Sequence, residues 1–204
     1  REFLLLALTS KTSPDFSLDH LPEAGRMDLV CRTVSNTLWI SHDLRRDTII
    51  HVALNGPRSP PKLISFSGAL LKGVEPDERS IASYIRLSLK KGKNLRLHET
   101  VGVSPGIVIA KTAFETFVQE KSTSHQLLYL DKKGKDIRDY PFKKDILFIF
   151  GDFRGLPKKT EKLLSRFGTE RISLGPKVLF ASHCPIIIHN ELDRKILPSS
   201  YIFT

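Results

Sequence analysis

The chain has 204 residues, 40% of them hydrophobic, which suffices for the core of one large domain or two small ones. Lys and Arg outnumber Asp and Glu by 32 to 22, a formal net charge of +10 with a pI near 9.7, and this favours a polyanionic partner, nucleic acid first. Cys31 and Cys184 stand far apart with no Cys and His cluster nearby, so neither a disulfide scaffold nor structural zinc is expected, and a reducing, cytoplasmic setting fits.

Glu2 to Leu8 is apolar but too short to span a bilayer or to act as a signal peptide, and it reads as a buried first strand. From Met27 to Ser41, Val30, Val34 and Leu38 recur at helical spacing. Thr48 to Leu54 is a second buried-strand run, followed by a proline-rich turn at Pro57 to Pro61. The next helix is expected over Pro76 to Leu89, with Pro76 in its first turn, Asp77 and Glu78 complementing the helix dipole, and Ile81, Ile85 and Leu89 on one face. Lys90 to Lys93 is a basic stretch that either extends a phosphate-binding surface or forms an exposed loop, and Leu95 to Ser104 reads as an exposed excursion. Ile107 to Ala110, Gln126 to Leu130 and Asp145 to Phe150 complete the strand candidates. Strands alternating with helices predict an α/β protein whose sheet is largely parallel and whose ligands sit at loops beyond the strand ends. No repeat or low-complexity tract divides the chain, so a single domain over 1–204 is expected.

The run Asp145 to Phe150 leads straight into Gly151-Asp152-Phe153-Arg154-Gly155-Leu156-Pro157. The two glycines allow close backbone approach, and Pro157 suits the first turn of a helix that points Leu163, Leu164 and Phe167 inward. Neither a Rossmann G-x-G-x-x-G fingerprint nor a Walker loop is present, and alone this is an ordinary strand-to-helix turn. Further on, Gly175-Pro176 marks a sharp loop within Arg171 to Leu179, and Ser182 or His183 precedes a helix with Pro185 near its first turn. Cys184, Ile188 and Leu192 then share one face, and His189 reads as an ordinary polar helix residue.

With these pieces in view, the sequence resembles the archaeal tRNA pseudouridine N1-methyltransferases that modify position 54, in the SPOUT superfamily. The matching segments are Gly25 to Arg32, Ser41 to Asp47, Pro76 to Arg79, Phe148 to Asp152 and Arg171 to Asp193, in the expected order over nearly the whole chain. The resemblance implies a SPOUT-type fold with a trefoil knot near residues 145–193, a homodimer, a tRNA partner, and S-adenosylmethionine as methyl donor with no metal. On matched positions it implies a donor site of Leu130, Gly151, Leu174, Gly175, Pro176, Lys177, Val178, Leu179 and Cys184. Apolar Leu174, Val178 and Leu179 suit an adenine ring, although alone they read as core.

Arg26, Arg45 and Arg46 are the residues expected nearest the RNA, since guanidinium forks contact phosphates or base edges. Without the resemblance, Arg45 and Arg46 read as a solvated pair balancing Asp43 and Asp47. Pseudouridine carries a proton on N1 that methylation replaces. Asp28 is either the orienter or proton acceptor for that step or a carboxylate that holds Arg26 in place. A nucleobase nitrogen needs no covalent enzyme adduct, so Cys184 is expected only to line the site. Two other readings share the sequence: pseudouridine methylation in ribosomal RNA, and a non-catalytic RNA-binding or assembly protein.

Overall fold

A computed structural model describes residues 1–143 and 145–196. The domain expected over 1–204 therefore includes Lys144 and residues 197–204, which lie outside the described residues. In chain order the elements are β1 (Glu2–Ala7), a 3-10 turn (Leu21–Ala24), α1 (Met27–Leu38), β2 (Trp39–Ile40), β3 (Asp43–Leu44), β4 (Ile49–Leu54), β5 (Lys62–Ser67) and α2 (Glu78–Lys91). They continue with β6 (Thr100–Ser104), β7 (Ile107–Ala110), α3 (Phe114–Lys121), β8 (Gln126–Asp136), a 3-10 turn (Ile137–Asp139), β9 (Ile146–Gly151), α4 (Lys158–Arg166), β10 (Glu170–Ser173) and α5 (Cys184–Ile196).

An 8-stranded sheet runs in the order β10-β8-β9-β1-β4-β5-β7-β6. From β10 to β4 every neighbouring pair is parallel, and β5, β7 and β6 extend the sheet antiparallel. The expected α/β class and largely parallel sheet are thus present. Helices cover both faces, which is why the inner strands read as continuous apolar runs. In β1, Phe3, Leu5 and Ala7 pack towards α1, α2 and α5, while Leu4 and Leu6 pack towards α3 and α4. Among the described residues no helix is long and apolar enough to cross a membrane.

Four local expectations need correction. The helix from Met27 stops at Leu38 because Trp39–Ile40 pairs antiparallel with Asp43–Leu44 around His42, whose φ is 69°. The helix expected from Pro76 starts at Glu78, with the Asp77 carboxylate accepting the Ser80 N–H at 2.8 Å, so the proline stands outside the first turn. Pro157 is likewise the residue that precedes α4 rather than part of it. Within the excursion expected over Leu95 to Ser104, Thr100–Ser104 is an edge strand hydrogen-bonded to β7.

Candidate active site

β8 begins as the short apolar strand expected from Gln126, yet it continues through polar residues to Asp136. Its pairing with β10 explains both facts. Tyr129 lies opposite Arg171 and Lys135 opposite Ile172, so residues 130–134 leave the ladder and bulge away. Gly134 lets the two strands close again behind the bulge, since a Cβ there would meet the Ile172 backbone at 2.5 Å. The turn after β9 is pinned by Asp152, whose Oδ2 accepts the Leu8 N–H at 2.8 Å and whose Oδ1 accepts the Arg154 N–H at 2.9 Å. At Gly151 any Cβ would collide with the backbone of Gly155, itself at φ 70°.

The bulge, the Gly151 turn and the loop from Ile172 to Cys184 enclose a pocket of about 570 Å³ beside the bulge of β8 and the carboxyl ends of β9 and β10, within the size range of small-molecule sites. Leu130, Gly151, Leu174, Gly175, Lys177, Val178, Leu179 and Cys184 all line it. Pro176 does not, and lines a second depression beside Arg138 and Glu191. Gly175 sits at φ 127°, a conformation open to glycine, and Ser173 Oγ braces it by accepting its N–H at 3.2 Å. Burial pushes the Cys184 thiol up to about 11, so it stays protonated near neutrality. Tyr129, Phe153, Phe180 and His183 also line the pocket and were not singled out from the sequence. The placing of an aromatic beside each glycine or proline loop was the one available signal, at Phe153 and Phe180.

Arg26 stands at the pocket mouth, its guanidinium 5.7 Å from the centroid of the Phe153 ring. Gly25 and Arg26 take successive left-handed conformations, φ 72° and 64°, which turn the chain into α1. For a non-glycine residue this is uncommon. Asp28, only 5% exposed, secures it: Arg26 Nε donates to Oδ1 at 3.0 Å and Nη2 to Oδ2 at 2.9 Å, and Arg32 also donates to Oδ2. Burial opposes the Asp28 charge, but the guanidinium groups of Arg26 and Arg32 outweigh it and hold the carboxyl below its usual range.

Arg45 and Arg46 are not brought to this place. The Arg45 N–H bonds to the Leu38 carbonyl, at the end of α1 opposite Arg26. Arg45 pairs with Asp193 at 2.9 Å, and Arg46 pairs with Asp43 at 3.1 Å. His189 is buried in the core, with Nε2 3.0 Å from the Thr37 carbonyl and its ring against Phe3. Its burial, with the positive charges of Arg45 and Arg1 nearby, pulls its pKa down to about 3, so it is neutral and structural.

Residues 1–197 match the family described as SAM-dependent RNA methyltransferases. The tRNA (pseudouridine(54)-N(1))-methyltransferase of Methanococcus aeolicus is 42% identical over 201 residues, spanning 95% of this chain and 97% of that protein. The enzyme of the same name from Methanocaldococcus jannaschii is 40% identical over 200 residues, spanning 96% and 97%. Among solved structures, Archaeoglobus fulgidus Nep1 bound to S-adenosylhomocysteine superposes with a TM-score of 0.62 at 12% identity, covering 95% of this chain and 97% of that one, a likeness of fold.

Proposed function

Since the chain belongs to the family of SAM-dependent RNA methyltransferases, and within it to the tRNA (pseudouridine(54)-N(1))-methyltransferases, we propose that it methylates N1 of pseudouridine 54 in tRNA. The observation that carries the reading is a largely apolar pocket, built from loops distant in sequence, that opens beside a guanidinium locked by a buried carboxylate. The pocket's dimensions and walls fit a nucleoside thioether: Leu130, Leu174, Val178 and Leu179 offer apolar surface, and the Gly151 and Gly175 turns expose backbone polar groups. When bound there, S-adenosylmethionine supplies a methyl group made electrophilic by its sulfonium.

The residues of the chain do the positioning. Arg26, fixed in its left-handed turn, holds the nucleotide at the mouth, and Asp28 is the anchor that keeps it there. Asp28 is ill suited to accept a proton, because two guanidinium groups already occupy its lone pairs and stabilise its charge. The enclosing loop from Leu174 to Cys184 excludes water and aligns the reacting atoms, so geometry supplies most of the acceleration. A tRNA substrate implies a cytoplasmic setting. The trefoil knot around residues 145–193 and a homodimer belong to this reading; exposed Val178, Phe180 and Ile186, beside the pocket, support a second copy covering that rim.

Incubation with labelled S-adenosylmethionine and matched tRNA transcripts carrying uridine or pseudouridine at position 54 tests the reaction, with nucleoside mass analysis as the readout. Product is expected on the pseudouridine transcript alone. Equal labelling of both transcripts would remove the selectivity, and labelling of a ribosomal transcript in preference would move the target.

A further inference from the structure

The helix that follows the pocket turn has two dissimilar sides. Thr160 and Leu164, four residues apart and in phase with Leu156 just before the helix, are buried against the sheet. Lys158, Lys162 and Arg166 recur at the same interval, two positions out of phase, and all three are exposed. Each step of four residues advances about 6 Å along a helix and about 40° around it, so the three cations form an inclined row on the outer face. The acid of α4, Glu161, is turned inward to accept the Tyr129 hydroxyl at 2.9 Å and does not neutralise the row.

A basic helix face is usually just solvated, and the continuity of this one with the pocket through Arg154 and Phe153 argues otherwise here. Several arginines elsewhere are engaged, Arg32 with Glu78, Arg45 with Asp193, Arg138 with Asp136 and Arg171 with Asp131. Among the described residues, Lys158, Lys162, Arg166 and Arg154 take part in no ion pair. Arg154 joins the row to the pocket, since it stacks 5.8 Å from the centroid of Phe153, the half-exposed ring that also lines the mouth. We propose that Arg154 and the outer face of α4 form the track along which the RNA backbone lies as the target nucleotide enters the pocket. This rests on the RNA-substrate reading above, and it shifts phosphate binding away from the Arg45 and Arg46 end of the molecule.

The test compares the whole protein with two triple variants, Lys158→Gln/Lys162→Gln/Arg166→Gln on α4 and Arg86→Gln/Lys90→Gln/Lys93→Gln on the other face of the sheet. Binding of tRNA is measured across a salt series, alongside binding of S-adenosylmethionine. The α4 variant should lose at least about tenfold in tRNA affinity at moderate salt. Its log–log salt slope should flatten by about 2, three phosphate contacts at roughly 0.7 each. Its donor affinity should match wild type, and a Lys158→Arg/Lys162→Arg variant should bind tRNA normally. Equal losses in both triple variants, or an unchanged salt slope in the α4 variant, would overturn the track. Wild-type protein that binds tRNA in this way but methylates none of it would sink the proposed reaction while leaving the binding comparison readable.

Discussion

Asp28 shows how one buried carboxylate decides the character of its neighbours. It fixes Arg26 from two directions and Arg32 from a third, and the strained turn at Arg26 persists because that grip over-determines it. Removing it in Asp28→Ala leaves Arg26 without its carboxylate and Arg32 with Glu78 alone, and because both guanidinium groups are partly solvated chemical denaturation should report a loss of about 1 kcal/mol. The RNA-dependent kcat/KM should fall in that variant while donor affinity is kept. The pH dependence follows from the depressed pKa: the stabilisation by Asp28 is complete above the unfolded carboxylate value near 4 and is lost only as pH falls through the lower folded value. Between about pH 5.5 and 8.5 the group stays ionised, so kcat should show no limb belonging to it. An acid limb near neutrality that disappears in Asp28→Asn would make it a proton acceptor after all. The sequence placed Asp28 beside Arg26 but left its two roles open, because the deciding contact is with Arg32 and the deciding burial is tertiary.

At the scale of elements, the strand–turn–helix unit of β9 and α4 holds the chemistry. Gly151 and Gly155 meet backbone to backbone, and only the absence of a side chain at Gly151 lets the turn close against the pocket. Gly151→Val forces that turn open, and calorimetry should show donor affinity reduced at least about tenfold in a protein that remains folded by circular dichroism. Gly155→Ala meets no neighbouring atom and bears only the left-handed backbone penalty of about 1–2 kcal/mol, so its effect on the donor should be milder. A folded Gly151→Val protein with normal donor affinity would remove the donor from this pocket. The strand and the glycine turn were legible as a buried apolar run followed by residues that permit tight bends. The bulge at residues 130–134 was not, because the apolar signal of β8 ends at Leu130 and only pairing with β10 carries the strand on to Asp136.

For the whole molecule, exposed apolar residues gather on the loop that closes the pocket, Val178 at 82% and Phe180 at 67% accessibility, with Ile186 at 49% on the adjoining helix. Such a rim is costly to leave in water, and a second copy is the occupant that the proposed function names. Light scattering should give a mass of twice 23.1 kDa at micromolar concentration. Monomer alone at that concentration would exclude the dimer.

The sequence by itself determined the alternation of strands and helices, the faces of α1, α2 and α5, the glycine turn after β9 and, through segments in the right order, the family. These signals are local: periodicity and turn chemistry act over a few residues. Tertiary structure decided which cations stay free, because Arg45 meets Asp193 and Arg26 meets Phe153 only after distant segments have packed. It also decided that Pro176 turns away from a pocket its neighbours line, and that the polar helix residue His189 is buried and neutral in the core. An ion pair or a pocket wall needs two partners in space, and the chain specifies that meeting only through the whole fold.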